Sequence, residues 1–81
     1  MSRKLLRRKR GSVVDWLAVG RRVRELRGFD LTQADFARRI GVSQSYLSAI
    51  ELGRNEAGAE VLLSISREFG RSIEWLLTGE G

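Results

Sequence analysis

From Trp16 to Leu77 the apolar residues recur three and four positions apart, and glycines at 28, 41, 53 and 70 cut the pattern into short pieces. That spacing matches the 3.6-residue turn of an amphipathic helix, and no stretch sustains the alternation of β-branched residues that a half-buried strand needs. Proline is absent, so the breaks fall to glycine. The pattern predicts an all-α fold, a compact bundle of five helices.

Ser12 is placed to cap the first helix, with Asp15 reaching back from the third helical position and Trp16, Val19, Val23 and Leu26 on one stripe. Thr32 and Asp35 repeat the arrangement for a second helix that buries Phe36, Ala37 and Ile40. Gly41 then stands where a left-handed C-cap residue is wanted. Val42 points inward and Ser43 caps a third helix running to about Leu52. Two short helices so close in sequence must cross steeply, as in a helix-turn-helix. A fourth helix from Ala59 to Phe69 carries Leu62, Ile65 and Phe69 inward, and Ser72 starts a brief fifth with Ile73, Leu76 and Leu77. Residues 1–11 read as a basic tail, 12–78 as the helix-turn-helix domain, and 79–81 as an end or the start of a linker.

A chain of 81 residues makes one domain. At that size it hides only about 60% of its unfolded surface, a marginal core that a second subunit would help. Cysteine and histidine are absent, which removes disulfides, thiolate or imidazole metal sites and nucleophile-histidine pairs. Lys4 and Lys9 are the only lysines, both in the tail, and no carboxylate cluster suggests a metal site. These features point away from an enzyme, a metal or a cofactor. No apolar run approaches the roughly 18 residues of a membrane span, so the expected location is the cytoplasm.

The net charge of +5 is unevenly distributed. Residues 1–10 hold six of the fifteen basic side chains and no acid, leaving nine arginines against ten carboxylates, a net of −1, in the remainder. Attraction to a polyanion must come from the tail or from uneven placement of the other arginines. The tail reads equally as an arm along a phosphate backbone, a solvated leader or a vector-derived remnant. Arg38 and Arg39 read as solvated rather than phosphate-bound, and Arg21, Arg22 and Arg24 similarly.

The third helix carries the strongest functional signal. At 100° per residue Tyr46, Leu47 and Ile50 cluster on one side, with Gln44, Ser45, Ser48, Ala49 and Leu52 on the other. A solvated face favours lysine, glutamate and arginine, whereas serine is a mediocre helix former. A DNA major groove explains the choice: it admits a helix with short side chains, glutamine can both donate to and accept from adenine, and alanine can touch a thymine methyl. The competing reading is a low-charge face that docks on another protein.

The segments "LTQADFARRIGVSQSYLSAIELGRN" and "EVLLSISREFGRSIEWLL" resemble the lambda-repressor-like helix-turn-helix family, the Cro and phage-repressor type also called Xre. The resemblance covers about residues 19–78. It implies a five-helix bundle that binds operator DNA as a symmetric dimer. Carried over position by position, it implies base contacts from Gln44, Ser45, Ser48 and Ala49, and contacts to the DNA backbone from Gln33, Ser43, Tyr46, Arg54 and Asn55. Glu51 matches the family's glutamate that pairs with a first-helix arginine, here Arg27. The usual proline before the fourth helix is replaced by "EAG". Trp75, Leu76 and Leu77 are expected at a dimer contact, because so short a helix has little room to bury three large residues. The resulting expectation is a sequence-specific transcriptional regulator, a repressor, with no small-molecule ligand evident. The alternative is a protein-interaction module such as an antitoxin-like or non-DNA-binding helix-turn-helix domain.

Overall fold

The computed structural model describes residues 13–81, so the basic tail and Ser12 lie outside the described residues. Five helices follow in order: α1 (Trp16–Arg27), α2 (Gln33–Ile40), α3 (Gln44–Glu51), α4 (Ala59–Phe69) and α5 (Ile73–Thr78). No strand occurs among the described residues.

The start of α1 differs from expectation. Asp15 is itself the N-cap, accepting from Ala18 N–H at 3.2 Å, so the helix begins at Trp16 rather than just after Ser12. An aspartate two to three residues from an N–H satisfies an orphan donor directly and leaves no need for a longer first turn. Thr32, Ser43 and Ser72 cap α2, α3 and α5 as their positions predict. Only half of the capping box forms at α2: Thr32 accepts from Asp35 N–H, but the Asp35 carboxylate turns outward to pair with Arg38. That pairing leaves Arg38 on the solvent side.

Gly41 ends α2 in the left-handed conformation, φ 78°, a region that costs a residue with a β-carbon. Its N–H donates to Arg38 and that of Val42 to Ala37, the paired bonds of a Schellman cap, and Val42 then packs against the core. The turn between α2 and α3 is thus fixed by backbone bonds.

The core consists of Val19, Val23, Phe36, Ala37, Ile40, Leu47, Ile50, Ala57, Leu62, Ile65 and Leu76. α1 packs on α3 and α5, α2 on α3 and α4, and α4 on α5. Phe36 and Phe69 stack with ring centroids 4.5 Å apart, joining α2 to α4. At Gly20 α1 and α3 approach closely: a β-carbon there would run into the carbonyl oxygens of Ile50 and Glu51. Arg22 is half-buried and donates to the Leu76 carbonyl at 2.9 Å, so it ties α1 to α5 where a solvated side chain was expected.

Leu76 is fully buried in the chain's own core. Of the three residues expected at a dimer contact, it is the one whose side chain faces inward. The cause is that α5 lies between α1 and α4 and fills the space they leave. Trp75 and Leu77 remain half-buried, and the Arg71 guanidinium lies over the Trp75 ring at 3.8 Å.

Candidate nucleic-acid interface

α3 divides as its sequence predicts. Leu47 and Ile50 are buried, and Gln44, Ser45 and Leu52 are exposed with Ser48 and Ala49 half-buried between them. The outward side forms one wall of an open groove of about 370 Å³, lined by Gln33, Gln44, Ser45, Ser48, Ala49, Leu52 and Arg54. Arg54 is the only charged residue in that lining. No other segment of the described chain covers this face.

Two devices bring residues from outside α3 to the groove. At the C-terminal end, Gly53 N–H donates to Ile50 and Arg54 N–H to Ala49 at 2.9 Å, a second Schellman arrangement that turns the chain back so that Arg54 stands beside Ala49. At the other end a polar relay fixes Gln33. Arg27 meets Glu51 with two parallel bonds, Nε to Oε2 and Nη2 to Oε1, each 2.9 Å. Gln33 Nε2 donates to Glu51 Oε1 at 3.0 Å, and Gln33 Oε1 accepts from Gln44 Nε2 at 3.4 Å.

The protonation of Glu51 sets the direction of this relay. Burial on its own would raise the Glu51 carboxyl, but hydrogen bonds from Arg27 and Gln33, with the charges of Arg27 and Arg24, outweigh it and hold the group below the usual range. Donating to the Glu51 carboxylate likewise raises Arg27 against its own burial. An ionised carboxylate only accepts, so the Gln33 amide must present its NH₂ to Glu51 and its oxygen to Gln44. Among the described residues nothing engages the second N–H of the Gln44 amide or its carbonyl oxygen.

The remaining expected contact residues divide by how free they are. Arg54 and Asn55 are exposed in the loop after α3. Ser43 is exposed, its oxygen accepting from Tyr46 N–H at 3.1 Å as the helix cap. The Tyr46 hydroxyl donates to the Glu56 carbonyl at 3.3 Å and accepts from Gly58 N–H at 3.4 Å. Both of its hydrogen-bonding roles are filled by the loop before α4, which Tyr46 thereby holds in shape. Leu52 lines the groove although the expected contact set leaves it out; helical geometry alone placed it on that face. The Gln33–Glu51 bond joins residues 18 apart in sequence and had no signal in the periodicity.

A cap-turn-helix pair whose second helix presents an uncovered, short-sided polar face defines a helix-turn-helix domain. A family model described as helix-turn-helix matches residues 21–76. The chain belongs to this lambda-repressor-like, or Xre, family of DNA-binding transcriptional regulators, which are not enzymes. It is 40% identical over 65 residues to the propionyl-CoA carboxylase regulator of Cereibacter sphaeroides, matching 79% of this chain but spanning only 14% of the length of that protein. The fold is similar to the P22 c2 repressor in complex with a synthetic operator, with a TM-score of 0.71 and 32% identity over 76% of this chain and 96% of that one. It is also similar to the restriction-modification controller protein C.AhdI of Aeromonas hydrophila, TM-score 0.70 and 26% identity over 78% and 97%. A third similar structure is the clp gene regulator ClgR of Corynebacterium glutamicum, TM-score 0.66 and 33% identity over 74% and 65%. Among the described residues no helix is long and apolar enough to cross a membrane, and no group of acidic side chains is arranged to hold a metal ion.

Proposed function

We propose that this domain recognises operator DNA by sequence, with α3 seated in the major groove, and acts as a transcriptional repressor in the cytoplasm as a homodimer. The observation that carries the reading is the uncovered face of α3, uncharged and made of polar or short side chains from Gln44 to Ala49, in a groove whose one charged lining residue is Arg54. Gln44, with one N–H and a carbonyl oxygen unengaged, matches the acceptor and donor of an adenine edge. Ser45 and Ser48 meet base edges beside it, and Ala49 meets a thymine methyl. Gln33, Ser43, Arg54 and Asn55 flank the face and contact phosphates, while Tyr46 acts by holding the loop that follows Arg54 and Asn55. That the P22 c2 repressor carries an operator on a similar fold supports this reading.

The homodimer brings two copies of α3 about 34 Å apart, onto successive major grooves. Trp75 and Leu77, the half-buried pair on α5, are its contact residues.

Selection from random duplexes tests the reading. A two-fold symmetric motif should be enriched, and Gln44→Ala should lose roughly 1–3 kcal/mol on the preferred duplex while relaxing one base pair. An equal loss on random DNA would remove Gln44 from base reading. Failure to enrich any motif, with stable capture of a protein instead, would favour an interaction module. Sedimentation as a monomer both with and without the duplex would exclude the dimer.

A further inference from the structure

We infer that Leu52 is a base-reading residue whose side chain takes the 5-methyl group of a thymine. The inference rests on the reading of α3 as the major-groove helix and extends it to a residue outside the expected contact set.

Leu52 is 54% exposed, and it is the one large apolar side chain lining the groove. A single exposed leucine means little alone. Its placement gives it meaning. The backbone of Leu52 is still helical, φ −89° and ψ 0°, and its N–H donates to the Ser48 carbonyl at 3.1 Å. Its side chain therefore continues the face of Ser48 and Ala49, four and three residues earlier, instead of turning away with the loop. Arg54, folded back beside Ala49, lines the same groove. This end of the groove thus pairs an apolar surface with a single cation, whereas the Gln44 end is polar.

That division matches a duplex edge. In the major groove the thymine methyl is the apolar feature among hydrogen-bonding groups, and phosphates border the groove. Leu52 follows Gln44 by eight residues, about 12 Å along the helix axis, so the two side chains meet different base pairs. The surface selects a thymine at a base pair other than the one read by Gln44.

The experiment uses the full chain and the duplex preferred in selection, with thymines replaced one at a time by deoxyuridine, which removes only the methyl group. Binding is measured for the wild type, Leu52→Ser and Leu52→Met, with thermal melting confirming that each variant folds. At one thymine, the wild type should lose roughly fourfold in affinity on loss of the methyl, as expected for one buried carbon. Leu52→Ser should be insensitive to that replacement, and Leu52→Met should remain sensitive. The inference is overturned if deoxyuridine affects the wild type and Leu52→Ser equally, or neither, while Gln44→Ala still changes base preference. It is also overturned if the preferred duplex holds no thymine beyond the base read by Gln44. If selection enriches no duplex at all, the major-groove reading fails first and takes this inference with it.

Discussion

Gln33 accepts a hydrogen bond from the Gln44 amide at 3.4 Å, so a residue at the start of α2 orients the first residue of α3. The orientation descends from Glu51, whose carboxylate accepts from the other end of Gln33 at 3.0 Å. A buried ion pair between α1 and α3 thereby decides which atoms of an exposed amide face outward.

This coupling is measurable. Replacing Gln33 by alanine frees the Gln44 amide to rotate, so binding to the preferred duplex should weaken more than removal of a single phosphate interaction explains. In a double-mutant cycle of Gln33→Ala with Gln44→Ala the interaction energy should lie in the range of about 0.5–3 kcal/mol. Additive losses would show that the two amides act independently.

Glu51 makes stability depend on acid. Its folded carboxyl lies below its unfolded value, so the unfolded chain binds more protons and the contribution falls as pH falls. The contribution is complete above the unfolded value of about 4.3 and is lost as pH drops through the folded value. Glu51→Gln should be less stable near neutrality, and its urea midpoint should change less between neutral and acid pH than that of the wild type. Parallel pH profiles for the two proteins would place the acid sensitivity elsewhere.

Arg27 is the partner whose loss should hurt most. Its side chain is 14% exposed and that of Glu51 only 4%, so Arg27→Ala strands a buried carboxylate. The expected cost is roughly 3 kcal/mol by chemical denaturation. A loss below about 1 kcal/mol, the scale of exposed pairs, would mean that water replaces the arginine.

Gly20→Ala tests the packing of α1 on α3. Alanine is the better helix former, yet its methyl group would meet the Ile50 and Glu51 carbonyls, which are backbone atoms that cannot rotate away. Destabilisation of about 1–3 kcal/mol is expected, with weaker DNA binding if α3 is displaced. A variant as stable as the wild type would show that the helices can separate without loss.

The basic tail carries its own test through salt. Deleting residues 1–10 should flatten the plot of log affinity against log salt by about 0.9 for each phosphate that the tail neutralises. An unchanged slope would mean that these residues do not touch DNA.

Local chemistry made most of the fold legible in the chain itself. Caps at Thr32, Ser43 and Ser72, the left-handed stop at Gly41, and the inward stripe Phe36, Ala37 and Ile40 depend on neighbours within four or five residues, and they stand where the pattern puts them. At α1 the pattern put the cap at Ser12 and Asp15 inside the first turn, whereas Asp15 is itself the cap, a shift of three residues for which periodicity carries no signal. The pairing of Arg27 with Glu51 came from family resemblance, which carries tertiary information that spacing lacks.

Sequence by itself determined which face of each helix is apolar, because a 3.6-residue period and a few capping side chains act over one or two turns. Only tertiary packing decided that Leu76 goes inward while Trp75 and Leu77 stay half-exposed, that Arg22 reaches across to α5, and that Gln33 connects Glu51 to Gln44. Those outcomes depend on distances between segments far apart along the chain. Such distances are fixed when helices close on one another and bury their shared surface, which no local pattern encodes.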